Sequence, residues 1–125
     1  MIANSRALLA IAQELLTSGI IEQNELKYRS AVSRAYYSVF LLAREKTRLE
    51  NEVHDVHAKV FQSIRISLLR AGKFITFDKM NELKEHRKQA DYTFPATNAN
   101  CMDWEKCATN AVIQAGYALN HLERL

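Results

Sequence analysis

Glycine and proline are almost missing from this chain: three Gly and one Pro among 125 residues. A phosphate-cradling Gly loop, a dinucleotide fingerprint or a nucleophile elbow each needs glycines at fixed offsets, and none of these patterns is present. That removes most ordinary enzyme classes. Scarce punctuation also predicts a few long elements joined by short loops. No segment alternates with period two over a useful length, so strands are not expected. No apolar run approaches the ~20 residues of a membrane span. The N-terminal Met1-Ile2-Ala3-Asn4-Ser5-Arg6 lacks the layout of a signal peptide. Cysteine is sparse too. Cys101 and Cys107 stand six apart, a spacing that matches no common zinc pattern, and no histidine sits suitably beside them. Two free thiols in a reducing, cytoplasmic compartment are expected, with no metal and no cofactor.

What is present is apolar helical periodicity and uneven charge. Residues 27–88 hold 14 of the 17 Lys and Arg but 7 of the 14 acids, a net +7, whereas the remainder carries 3 cations against 7 acids, a net −4. A basic middle between acidic ends suits a partner that is a polyanion, or simply a solvated helix surface. The length fits one domain, residues 1–125, able to bury roughly two-thirds of its unfolded surface.

Ala7, Leu8, Ile11, Ala12, Leu15 and Leu16 recur at helical spacing, and Thr17-Ser18-Gly19 reads as the end of that helix. A second helix should start with Asn24 as N-cap and run to about Leu49, with Tyr28, Ala31, Val32, Ala35, Tyr36, Val39, Leu42 and Ala43 as its core stripe. The third, from about Asn51 to Ala71, places Val53, Val56, Val60, Ile64 and Leu68 on one face. Lys73 to Phe77 reads as a connection anchored by Phe74, Ile75 and Phe77. A short fourth helix, about Asp78 to Ala90, aligns Met80, Leu83 and Arg87. A loop from Asp91 to Met102 then leads to Asp103, N-cap of a last helix with Trp104, Ala108, Val112, Ala115, Leu119 and Leu122 inward. The expectation is an all-α, up-and-down antiparallel bundle of four main helices plus one short one.

On the second helix, Ser30, Arg34, Tyr37, Ser38 and Leu41 lie opposite the core stripe. Large groups on that face suggest a second interface, most simply a two-fold homodimer.

Two clusters carry the chemistry: Ser33-Arg34-Ala35-Tyr36-Tyr37 and Arg87-Lys88-Gln89-Ala90-Asp91-Tyr92. Arg87 could hold a phosphate through a bidentate, charge-assisted contact, or pair with Asp91 one turn on. Asp91 could serve as an acid or base, or as a salt-bridge partner. Tyr92 could stack on a base or close the end of the bundle. His54 and His57 stand one turn apart, a spacing compatible with metal ligands but without a third ligand fixed by sequence. His86 is rotated away from Arg87, and His121 reads as a surface residue.

Ser33 to Phe40, His57 four residues before Phe61, Leu83 four before Arg87, and Ala90-Asp91-Tyr92 together resemble the HEPN-domain family over roughly residues 5–122. The resemblance implies a dimeric helical bundle of toxin–antitoxin or defence systems, often partnered by a small nucleotidyltransferase. It also implies a metal-independent ribonuclease, built from an Arg followed four to six residues later by a His, with the RNA 2′-hydroxyl as nucleophile. Arg87 matches that Arg, but Tyr92, Thr93 and Phe94 stand where His is expected. A phenol with a pKa of about 10 is no base near neutrality. Arg48 and His54 match the spacing formally, but at the junction of two helices rather than at the family position. The resemblance therefore implies either an RNA-cleaving dimer using Arg87 and Asp91, or a non-catalytic module that binds a nucleotide or RNA or docks a partner nucleotidyltransferase. In both, Arg34, Tyr37, His57, Lys88 and Tyr92 would help to bind RNA or a nucleotide.

Overall fold

A computed structural model describes residues 2–92 and 103–125. It is all-helical, with five packed helices: α1 (Ile2–Glu22), α2 (Glu25–Lys46), α3 (Val56–Arg70), α4 (Phe74–Tyr92) and α5 (Trp104–Leu122). No described helix is long and apolar enough to cross a membrane.

The second helix is the hub, packing against each of the other four. All eight residues of its expected core stripe are buried. Burying apolar surface at about 25 cal/mol per Å2 makes this stripe a principal source of stability. The facing side of α5 is lined with small residues, Ala108, Ala111, Ala115 and Ala118, all fully buried, so α2 and α5 can approach closely. Ser38 departs from its expected outward position. It is fully buried, and its hydroxyl donates to the Ala35 carbonyl at 2.7 Å. A small hydroxyl that bonds its own helix enters the core without an unmet polar group.

Several helix ends differ from expectation, each for a local reason. The first helix does not stop at Gly19. The left-handed residue of the turn is Gln23 (φ 51°), and the Asn24 side chain then caps α2 by accepting from the Lys27 N–H at 3.3 Å. Gly19 serves instead as a point of close approach, since a Cβ there would stand 2.9 Å from two ring carbons of Tyr28. The third helix starts at Val56, not near Asn51. Arg44 donates to the carbonyls of Leu49, Glu50 and Glu52 at 3.0, 2.9 and 2.7 Å, which holds that segment out of a helix and leaves Val53 exposed. Arg48 and Asp55, both at positive φ, bracket the same turn.

The expected connection at residues 73–77 is mostly helix. Gly72 (φ 73°) ends α3 with Lys73 N–H donating to the Leu68 carbonyl at 2.8 Å, a Schellman-type close, and α4 begins at once. Phe74 and Ile75 are exposed rather than anchoring, while Thr76 is buried. The fourth helix therefore has 19 residues and is not the short one; α3, with 15, is the shortest. It also runs through Asp91 and Tyr92, where a loop was expected. The rest of that expected loop lies outside the described residues. Asp103 caps α5, accepting from the Lys106 N–H at 3.2 Å.

Cys107 is disulfide-bonded, which overturns the expectation of free thiols. Sequence spacing tests for a metal pattern but says nothing of which sulfurs meet in space. Cys101, the other cysteine, lies outside the described residues.

Gly19→Ala tests the α1–α2 approach. The overlap with the buried Tyr28 ring should outweigh the helix-propensity gain and lower stability by about 1 kcal/mol in denaturant unfolding. Unchanged or higher stability would mean that Tyr28 moves freely.

Candidate functional site

The helix hub and the fourth helix cross where α2 presents Tyr36, Tyr37 and Phe40 and α4 presents Lys84, Arg87 and Lys88. The N-terminal turn of α3 closes the third side. Between them lies an open cleft of about 1030 Å3, lined by these residues except Tyr36, together with Arg44, Val53, Asp55, His57 and Tyr92.

Arg87 forms its floor. The side chain is buried, and its guanidinium carbon lies 4.9 Å from the Tyr36 ring centroid, 5.5 Å from that of Tyr37 and 5.8 Å from that of Tyr92. Each such cation–π contact contributes roughly 0.5–2 kcal/mol, more as water is excluded. Arg87 Nη1 also donates to the Tyr92 hydroxyl at 3.4 Å and stands 3.8 Å from Asp91 Oδ2. Its Nε is buried and has no hydrogen-bond partner among the described residues. Three rings therefore carry much of the compensation for burying this charge.

Next to Arg87, the Tyr36 hydroxyl and His57 Nδ1 are 2.6 Å apart. Phe40 stacks on the imidazole with ring centroids 4.2 Å apart and planes 15° from parallel, which fixes its orientation. Burial pushes the Tyr36 phenol well above its ordinary value, although Arg87 opposes that shift. It therefore stays protonated at any physiological pH. His57 is held below its ordinary value, first by burial and then by the positive charges of Arg87, Lys84, Arg44 and Lys88. Four cations from two helices thus bear on one imidazole.

The first turn of α3 lies on the cleft wall, with Asp55, Val56, His57 and Ala58 all lining it. Asp55 is the N-cap, yet its side chain makes no capping bond. The leading N–H groups of a helix are unsatisfied donors at the positive end of its dipole.

The expected site residues divide into two groups. Arg87, His57, Tyr37, Lys88 and Tyr92 come together in the cleft. Arg34 and Asp91 line a neighbouring depression of about 450 Å3 with Leu26, Arg29, Ser30, Ser33 and Ala90. There Ser33 Oγ donates to Asp91 Oδ2 at 3.4 Å. Asp91 thus bridges Ser33 and Arg87, which joins α2 to the end of α4. Lys88 is exposed and pairs with Glu85 at 3.5 Å. His54 is exposed at the turn before α3, as is Arg48. Among the described residues no three His, Cys, Asp or Glu are placed to hold a metal ion. His121 departs from its expected surface position. It is half-buried, with Nδ1 2.5 Å from the hydroxyl of the fully buried Thr76.

Arg44 and Lys84 were not singled out in the sequence. Arg44 continues the Tyr37–Leu41 stripe of α2 and Lys84 lies one turn before Lys88, so both followed from helical spacing once the cleft wall was known. The buried Arg29 was also missed. It donates to the carbonyls of Ala90 at 3.0 Å and Gln89 at 3.1 Å, and lies over Trp104 with its guanidinium carbon 5.0 Å from the ring centroid. Its role is to satisfy carbonyls near the end of α4.

Comparison with known proteins gives no relative: no family model, no curated protein and no solved structure matches the chain.

Arg87→Lys keeps the charge but loses the flat surface that lies against three rings. Thermal and denaturant unfolding should show a loss of about 2 kcal/mol; full stability would show that charge alone suffices there. The depressed His57 and His121 set a pH dependence. Both favour the neutral form in the folded chain, so the unfolded chain takes up protons first as pH falls below about 6.5. Stability should therefore decline from pH 7.5 to 5.0, and His57→Gln should make that decline shallower. An equal slope in the variant would contradict the environment assigned to His57.

Proposed function

We propose that the protein is a HEPN-like RNA-binding module whose cleft holds backbone phosphate without cleaving it. The observation that carries this reading is that Arg44, Lys84, Arg87, Lys88 and His57 line one cleft together with Tyr37, Phe40 and Tyr92. Cations attract phosphates, and exposed aromatic rings give bases a surface to stack on. Tyr92, three-quarters exposed beside Arg87, is the ring best placed for stacking. The first turn of α3 adds backbone donors of the kind that bind anions at helix starts.

Binding rather than cleavage is favoured by the acid–base groups at hand. Self-cleavage of RNA needs a base for the 2′-hydroxyl. Asp91 lines the neighbouring depression, held by Ser33 and Arg87. The sequence offers Tyr92, Thr93 and Phe94 where the family's histidine would stand. A two-fold partner on the half-buried Tyr37–Leu41 face would extend the basic surface into a second copy.

Fluorescence anisotropy with a labelled single-stranded RNA should show saturable binding that weakens with salt. The double variant Lys84→Ala, Lys88→Ala should flatten the log–log salt slope by about 1.4, at roughly 0.7 per lost phosphate contact. The RNA should remain full-length on a denaturing gel. Absence of saturable binding at low salt would overturn the proposal.

A further inference from the structure

We infer that Tyr36 locks His57 in the tautomer that carries its proton on Nε2, making this residue a hydrogen-bond donor to phosphate and removing it as a general base. The inference rests on the RNA-binding reading of the cleft and names the role of one side chain within it.

The argument is one of proton order. The Tyr36 ring is almost wholly buried, and a buried hydroxyl left without an acceptor is costly. Its neighbours are Arg87 and His57. An arginine has only N–H groups to offer and accepts nothing. His57 Nδ1, 2.6 Å away, is the acceptor within reach among the described residues. The positive guanidinium also draws the lone pairs of the phenol oxygen toward itself and turns the O–H away, toward the imidazole. If His57 instead donated from Nδ1, the phenol proton would be left facing Arg87. The order is therefore Tyr36 O–H to Nδ1, which leaves the imidazole proton on Nε2.

Among the described residues no protein group bonds Nε2, and His57 lines the cleft. The stacked Phe40 ring hinders a flip of the imidazole that would put a carbon in place of Nδ1 at the Tyr36 hydroxyl. An Nε2–H has no lone pair with which to take a proton from a 2′-hydroxyl. It does suit a group that only accepts, and a phosphate oxygen is such a group.

Nitrogen-15 NMR of histidine-labelled protein at neutral pH tests this directly, alone and with a short single-stranded RNA. For His57 the expected result is an unprotonated Nδ1 and a protonated Nε2, with the Nε2 resonance shifting as RNA is added. Tyr36→Phe, which changes little volume, should release the lock and give a mixture of tautomers. His57→Ala should weaken RNA binding roughly tenfold, whereas His57→Gln, which can place an N–H near the same point, should stay within about threefold. A proton on Nδ1 in the unmodified protein overturns the inference whether or not RNA binds. Binding that leaves Nε2 unmoved overturns the donor role alone. A correct tautomer with no RNA binding at any salt concentration overturns the RNA-binding reading and the donor role with it.

Discussion

A buried guanidinium is the constraint on which the rest depends. Removing the Arg87 side chain from water is expensive, and an ion pair at 3.8 Å offsets only part of that cost. The faces of Tyr36, Tyr37 and Tyr92 supply attraction from three sides. Two of these rings belong to the central helix and one to the last turn of α4. Satisfying Arg87 therefore fixes the α2–α4 crossing. Arg29 does the reverse, reaching from α2 to the carbonyls of Gln89 and Ala90. Two arginines pointing in opposite directions tie the same two helices. Ser33 and Asp91 add a third tie. The α4 end is thereby held as helix through Tyr92 and presents Lys88 and Tyr92 at the cleft.

The same charge shapes the chemistry next to it. It stands beside a tyrosine that stays protonated and a histidine whose neutral form is favoured. The α2–α3 turn is ordered by another arginine, Arg44, whose donors hold the carbonyls of Leu49, Glu50 and Glu52 while its charge remains at the cleft edge. Structural and electrostatic roles coincide in these side chains. That coincidence explains how a basic surface is built from residues that are largely engaged with the protein itself.

Much of the fold was legible because the core stripes of α2 and α5 are long and regular, and because Asn24 and Asp103 are good caps. What was missed was set by tertiary contacts. Gly19 reads as a helix end, yet its lack of a side chain is needed for Tyr28. Val53 fits the apolar spacing of α3, but Arg44 holds its segment out of the helix. Phe74 and Ile75 look like anchors and are exposed, because the turn at Gly72 is tight enough for α4 to begin at once. At the site, Arg87, Lys88, Tyr37, His57 and Tyr92 could be singled out in the sequence as residue types suited to phosphate. Their convergence could not, since His57 comes from a third helix whose start is set by the preceding turn. The separation of Arg34 and Asp91 into a second depression was equally hidden, being a matter of where α2 and α4 cross.

The central claim is that the cationic cleft between α2, α3 and α4, with Arg87 as its floor, is where RNA binds. The most direct measurement is a backbone amide NMR titration of uniformly labelled protein with single-stranded RNA. The account predicts saturable shifts concentrated in residues 55–59 and 84–92, where the first turn of α3 meets the last turns of α4, with little change along the exposed face of α1. Shifts centred on another surface, or none at concentrations where anisotropy reports binding, would contradict it.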